Sequence, residues 1–428
     1  MEVVLVFSAL IILILLGVPV AFSMGLSTLL AIYLNGTWNF TVILSQRIYS
    51  GSTSFVLFAI PFYILAGMLM NAGGMTYKIM KFAQILVGNI TGGMGHVNVL
   101  ASMVFSGMSG SSVADASGLG AVEIETMSAA GYDRKFSAAV TAASATIGPI
   151  IPPSIPFVIY GGIAGVSVGR LFLGGIFPGV LMGLGLMIAV YFVSKKRKYP
   201  KSKQRATFKE LISNAFSALL AVGSVVIILG GIILGIFTPT EAAVVASFYA
   251  FILGFFVFRD LKFYQIHQVL WETARHSVRV LFIIAVASSY AWALTLMHVP
   301  QKVIALFGNL TSQPILVLLI INALLLLLGC FMESISIMLL TVPILLPVII
   351  EIGMDPVHFG VMMTLNLMIG QLTPPMGILL YSVSGISKIP VHDIVSELKP
   401  YLIALLVILL LITFVPSITL YLPNLLMG

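Results

Sequence analysis

The chain has 428 residues, of which 60% are hydrophobic and only 8% charged, and its mean hydropathy is +1.14. A soluble domain spends roughly a quarter of its residues on charge, so this composition excludes a water-soluble enzyme or binding module. The net charge of +7 does not point to nucleic acid, because the basic residues cluster in short stretches between apolar runs. A single cysteine, Cys330, excludes an intramolecular disulfide framework and a cysteine-based metal cluster.

Apolar runs recur from end to end, many near the ~20 residues needed to span ~30 Å of hydrocarbon. The first, residues 3–34, has no small-residue cleavage site and contains Gly17-Val18-Pro19. It reads as mature membrane structure, not a signal peptide. Crossings are expected near 3–16, 18–34, 53–72, 136–165 and 170–194. After residue 194 comes an acid-free basic stretch from Lys195 to Lys209, which positive-inside places in the cytoplasm as a linker over 195–210. Further crossings are expected near 212–236, 239–258, 276–299, 356–386 and 400–422. Two stretches, about 93–130 and 314–350, fit re-entrant hairpins. Residues 76–90 and 299–310 read as amphipathic interfacial helices. This map puts every Lys and Arg inside except Arg47, Arg170 and Lys302, and both termini outside.

An internal repeat is visible. Gly107 is matched by Gly329, Gly148 by Gly370, Pro152-Pro153 by Pro374-Pro375, and Pro178 by Pro400, each 222 positions later. Each half holds five crossings, an odd number, so the second is expected upside down relative to the first. The fold expected is an all-α polytopic membrane protein of two inverted-topology repeats, 1–194 and 211–428. It has about ten transmembrane helices plus two hairpins. Inverted repeats rocking around a midplane site are a transporter signature.

Four segments carry the chemistry: the tips around Ser106–Asp115 and Gly329–Ser336, and the Pro-broken stretches 148–154 and 370–377. Proline removes amide donors and leaves carbonyl oxygens without helical partners. Such backbone persists at membrane depth only where protein or water covers it. Bare carbonyls are hard ligands suited to Na⁺, while half-helix N-termini favour an anion. Asp115 either stabilises its hairpin or touches substrate; Glu333 either joins a cation site or caps its tip. Glu123 and Glu125 read as interfacial, and Glu241, after Thr238-Pro239-Thr240, as part of a helix cap. The six histidines have no metal-ligand spacing, and no phosphate-binding loop or nucleophile–base set occurs. A carrier working alone with H⁺ or Na⁺, and an ion channel built on carbonyl sites, remain open beside the leading reading.

These motifs resemble the large membrane subunit, DctM or SiaM type, of tripartite ATP-independent periplasmic (TRAP) transporters. Ser109-Gly110-Ser111-Ser112-Val113-Ala114-Asp115-Ala116, Gly148-Pro149-Ile150-Ile151-Pro152-Pro153-Ser154, Thr238-Pro239-Thr240-Glu241-Ala242 and Gln371-Leu372-Thr373-Pro374-Pro375-Met376-Gly377 carry the likeness, which covers nearly the whole chain. The resemblance implies Na⁺-coupled import of a small organic acid anion, of the C4-dicarboxylate or sialic acid type, through a bacterial inner membrane. It implies an elevator motion of a transport domain against a scaffold, with surrounding membrane lipids. The partners it implies are a four-helix small subunit of the DctQ or SiaQ type and a periplasmic binding protein. No four-helix segment precedes Met1, so that subunit is expected as a separate chain. At least two Na⁺ ions are implied. One would lie at Ser106, Ser109, Gly148, Ile151 and Pro153, another at Gly329, Cys330, Glu333, Thr373 and Met376. Substrate would lie near Ser111, Ser112, Asp115, Ser154, Ser334 and Pro374.

Overall fold

A computed structural model describes residues 2–36, 40–200, 208–310 and 313–428. Within them every regular element is helical. The first half runs α1 (Glu2–Leu15), α2 (Val20–Leu34), α3 (Thr41–Ser52), a 3₁₀ turn (Phe55–Phe58), α4 (Ala59–Ala72) and α5 (Met75–Val87). It continues with α6 (Gly93–Ser109), α7 (Ser112–Ala129), α8 (Arg134–Ala145), α9 (Ile155–Ala164) and α10 (Val168–Arg197). The second half runs α11 (Phe208–Ile233), α12 (Pro239–Ile252), a π turn (Leu253–Val257), α13 (Phe263–Leu296) and α14 (Val299–Leu310). Then follow α15 (Pro314–Gly329), α16 (Ser334–Glu351), α17 (Pro356–Gly370), α18 (Ile378–Ser387), α19 (Val391–Phe414) and α20 (Ser417–Met427). The expected linker over 195–210 falls partly outside the described residues.

Among the described residues six helices are long and apolar enough to cross a membrane, over Phe55–Ala72, Val168–Arg197, Pro239–Val257, Phe263–Leu296, Ser334–Glu351 and Val391–Phe414. Several others are shorter, and for α8 and α9 the cause is local. At 1.5 Å per residue, α8 and α9 reach only about 18 and 15 Å, roughly half the hydrocarbon each. The break between them is set by Pro149, Pro152 and Pro153, which supply no amide hydrogens. Ser154 then restarts the helix as N-cap, its hydroxyl accepting from Phe157 N at 3.2 Å. The elements recur along the chain: α16, α17 and α18 begin 222, 222 and 223 positions after α7, α8 and α9.

Three sequence expectations on boundaries need correction. Residues 41–52, taken as connection, form α3, which lies along α13 but buries none of its side chains. The crossing expected at 276–299 begins at Phe263. His267, Glu272, Arg275 and His276 lower the hydropathy of its first turns, yet the helix is started by a Lys262 amide bond to Gln265 Oε1 at 2.7 Å. The span expected at 400–422 is two helices. α19 starts at Val391 and continues through Pro400; Pro416 forces Val415 out of the α region (φ −120°, ψ 82°) and ends it. The expected cap at Glu241 has full reciprocal geometry, with Thr238 Oγ1 accepting from Glu241 N and Glu241 Oε2 accepting from Thr238 N.

The interior is organised around α8 and α17. Every residue from Phe136 to Ala145 is buried, although α8 is mostly Ala and Ser. Those small side chains let α6, α7, α18 and α19 pack on it from all sides. α17 is likewise buried from Val357 through Gly370. Buried amides tie both to their neighbours. Asn98 of α6 donates to Thr141 Oγ1 at 2.7 Å and accepts from Ser144 at 2.6 Å; Asn366 of α17 donates to Asn322 Oδ1 at 2.8 Å. Exposed Leu15, Leu184, Ile188, Phe192, Ile403 and Val407 form the outer apolar surface, as a lipid solvent requires.

α15 meets α17 backbone to backbone. A Cβ placed on Gly370 would lie 2.6 Å from Gly329 Cα and 3.0 Å from its carbonyl carbon. No flexible side chain is present to yield. Gly370→Val should therefore destabilise by about 3 kcal/mol or more, above the usual 1–3 for overpacking. Thermal unfolding of the detergent-purified protein should show a clear fall in midpoint, and an unchanged midpoint would refute this account of the contact.

Candidate functional site

The first tip is built by Gly110, whose φ of +60° reverses the chain between α6 and α7. Its carbonyl accepts from Ile155 N at 3.4 Å, and a Cβ there would press on Pro153 O. Tip and break are thus locked together by backbone contact. The second tip uses Cys330, whose carbonyl accepts from both Met376 N and Gly377 N at 3.2 and 3.1 Å. Each hairpin tip is seated on the break of its own half.

Between the tips lies a cavity of about 500 Å³. Its walls come from Ser109, Ser111, Ser112 and Ser117 of the first hairpin, and Glu333, Ser334 and Ile335 of the second. Pro149, Ile155 and Pro156 come from the first break, Gln371 from the second, and Gly67, Met68, Asn71, His276 and Val280 from α4 and α13. Gly67 lets α4 pack closely on the first tip: a Cβ there would lie 3.0 Å from Met108 O and 3.1 Å from Ser109 Cα. The first residues of α7, α9 and α16 all line this space, so three helix N-termini with their partial positive charge converge on it. Among the described residues no Lys or Arg is in its walls.

The structure brings some of the expected site residues together here and leaves others behind the wall. Ser109, Ser111, Ser112, Glu333 and Ser334 line the cavity. Ser111 also caps α7, accepting from Ala114 N. Glu333 sits at the N-cap position of α16 but makes no capping bond. Asp115 does not line the cavity: it is 2% exposed, takes the Ser109 hydroxyl on Oδ1, packs against Gly148, and leaves Oδ2 buried without a partner. Ser106 spends its hydroxyl on Ser102 O at 2.5 Å, and Ser154 on Pro149 O at 2.5 Å. Ile151 packs on Gly179, and Pro153 is buried against Gly110. Thr373 donates to Ile369 O at 3.0 Å, while Pro374 and Met376 are exposed, away from the cavity. Gly329 is buried against Gly370.

One reading of a carboxylate changes. Glu123, expected at the interface, is 1% exposed with both oxygens unpartnered, because α8 and α18 cover that face of α7. Glu125, two residues on, is exposed and pairs with Arg134 at 2.5 Å. Sequence reasoning missed Asn71, His276 and Gln371 as wall residues. Asn71 stands alone in an apolar helix and His276 lies in a stretch read as approach to a span. Gln371 carried a visible signal, since it occupies the place 222 positions after Pro149. Among the described residues no group of three His, Cys, Asp or Glu side chains could hold a metal ion.

Comparison with known proteins gives these elements a family. The model of the tripartite ATP-independent periplasmic transporter, DctM component, matches residues 7–418. The sialic acid TRAP transporter large permease protein SiaM of Vibrio cholerae is 45% identical over 96% of both chains. The C4-dicarboxylate large permease DctM of Pseudomonas aeruginosa is 39% identical over 89% of both. The sialic acid permease SiaT of Haemophilus influenzae is 42% identical; 96% of this chain is matched, covering 66% of that protein. Among solved structures, the YdaH transporter of Alcanivorax borkumensis shares the fold with a TM-score of 0.64 at 15% identity, over 88% of this chain and 87% of that one. These relatives are permeases, not enzymes. The chain belongs to the DctM component family of tripartite ATP-independent periplasmic transporters, as a multi-pass inner-membrane protein.

Proposed function

We propose that this permease imports a small organic acid anion in symport with Na⁺, by an elevator motion, and that the cargo is of the sialic acid type rather than a C4-dicarboxylate. The cavity between the two tips is the observation that carries the reading. Three helix N-termini favour an anion there, and hydroxyl and amide walls suit a polyhydroxylated acid. The 45% identity to a sialic acid permease supports the same choice. A four-helix small subunit and a periplasmic binding protein complete the system, the binding protein delivering cargo from the side on which both termini lie.

In this reading the two halves are inverted repeats. The recurring element bounds support it, as does reciprocal packing, in which α7 lies on α18 and α16 on α9. The moving body comprises α6–α9 and α15–α18, while α1–α4 and α11–α13 are the scaffold. The first ion lies by Ser109 and Gly148, where the open oxygen of buried Asp115 needs either a proton or a cation. The second lies by Glu333 and Thr373. There the carbonyl of Cys330 is already committed to two amides, so side-chain oxygens do more of the work than at the first.

Uptake of N-acetylneuraminate into proteoliposomes holding the permease, its small subunit and its binding protein tests the coupling. An imposed inward Na⁺ gradient should raise the initial rate at least tenfold over equal Na⁺ on both sides. Equal rates in the two conditions would defeat the Na⁺ reading. Uptake of the same size without the binding protein would contradict the tripartite one.

Ser109→Leu removes the hydroxyl bound to Asp115, and Thr373→Leu fills the second ion position. Each variant should insert normally into the membrane, lose most Na⁺-stimulated uptake, and require several-fold more Na⁺ for half-maximal rate. A wild-type Na⁺ dependence in both would refute the placement of the ions.

A further inference from the structure

The two tips present corresponding serines at the cavity, Ser112 at the start of α7 and Ser334 at the start of α16, 222 positions apart. Their partners differ. Ser112 donates to Gln371 Oε1 at 2.9 Å, a bond between buried side chains 259 residues apart in sequence. Ser334 lines the same cavity, and in the other break Pro149 stands in the place that corresponds to Gln371. Proline has no side-chain donor or acceptor, and the Pro149 carbonyl is already taken by the Ser154 hydroxyl. Ser334 therefore keeps its hydroxyl free of any described partner.

The bond from Ser112 also fixes what Gln371 offers. With Oε1 engaged as acceptor, Nε2 holds two donor hydrogens and no bond to a described residue, at a side chain only 2% exposed on a cavity wall. A donor pair on a cavity wall takes its acceptor from a ligand or from water. No Lys or Arg is among the described walls; the side-chain donors there are the serine hydroxyls, Asn71, His276 and Gln371, and of these Gln371 is the one held by a serine of the opposite hairpin tip.

We propose that Gln371 is a specificity-determining residue: its Nε2, oriented by Ser112, receives the carboxylate of the cargo together with the Ser334 hydroxyl. This rests on the transport reading above and adds to it. The anion then sits off the centre of the cavity, toward the second hairpin. Ser112 is a positioning residue that acts through Gln371 and does not touch the cargo's charge.

The test compares binding of N-acetylneuraminate with binding of its uncharged methyl ester, on the purified permease–small subunit complex in Na⁺. Gln371→Glu keeps the shape and still accepts from Ser112, but replaces the donors with a carboxylate. It should weaken the acid at least tenfold and the ester less than threefold. Gln371→Leu should likewise erase most of the preference for acid over ester. Ser112→Ala should weaken the acid about threefold alone and add nothing in the Gln371→Leu background. An acid-to-ester ratio unchanged in both Gln371 variants would overturn the assignment, and additive losses in the double variant would overturn the role of Ser112. Absence of wild-type uptake in the proteoliposome assay would instead sink the transport reading itself.

Discussion

In hydrocarbon a backbone amide or carbonyl without a partner costs several kcal/mol, and this fold places two stretches of non-helical backbone inside apolar helices. Everything around them answers that cost. Gly110 O takes the Ile155 amide, Cys330 O takes two amides from the second break, and Ser154 serves both its own helix start and the Pro149 carbonyl. The residues that enclose the breaks are small because only Gly, Ala and Ser let backbone come that close. The Gly329–Gly370 contact and the all-round burial of Ala-rich α8 are two expressions of one demand.

The two breaks do not answer it equally. Pro152, Pro153 and Ser154 are buried, whereas Pro374, Pro375 and Met376 are exposed. The first tip is also braced across its own arms by the Ser109–Asp115 bond, while Glu333 at the second makes no capping bond and lines the cavity. The hydrogen bonds that seat the second tip on its break run through the Cys330 carbonyl, beside the Gly329–Gly370 contact. Local opening free energies follow the number of buried, mutually satisfied contacts, and by that measure the second tip is the looser of the two.

How much of this the sequence disclosed depends on whether the signal was periodic or relational. Hydropathy exposed the membrane class, and Gly and Pro at matched positions marked the tips and breaks, because those residues have few other uses at such places. The Thr238–Glu241 cap was legible because its reciprocal bonds are local. Boundaries failed where polar residues lay on a helix: α3 runs along α13 without burying a side chain, and the first turns of α13 rest on a local cap, neither of which hydropathy registers. Individual site roles were the least legible. The Ser106 and Ser154 hydroxyls are committed to Ser102 O and Pro149 O, partners that residue type alone does not disclose. Gln371 gained meaning only when Ser112, far away in sequence, was found beside it. Burial of Glu123 likewise depends on α8 and α18 closing over it, which no local pattern announces.

The charge balance of the cavity explains why cation and anion belong together in the proposed cycle. A helix N-terminus favours an anion by roughly 0.3–1 kcal/mol, so three converging ones supply about 1–3. One ionised carboxylate some 5 Å from the anion opposes it by about 3 kcal/mol at an effective dielectric of 20. Glu333 on the wall and Asp115 directly behind Ser109 therefore offset what the helix ends offer whenever they carry charge. With a cation beside each carboxylate that repulsion vanishes and the helix termini prevail. In the proposed cycle an anion site with no Lys or Arg among its described walls, lined and backed by acids, would hold its cargo only while cations are bound, the conditional affinity that symport requires.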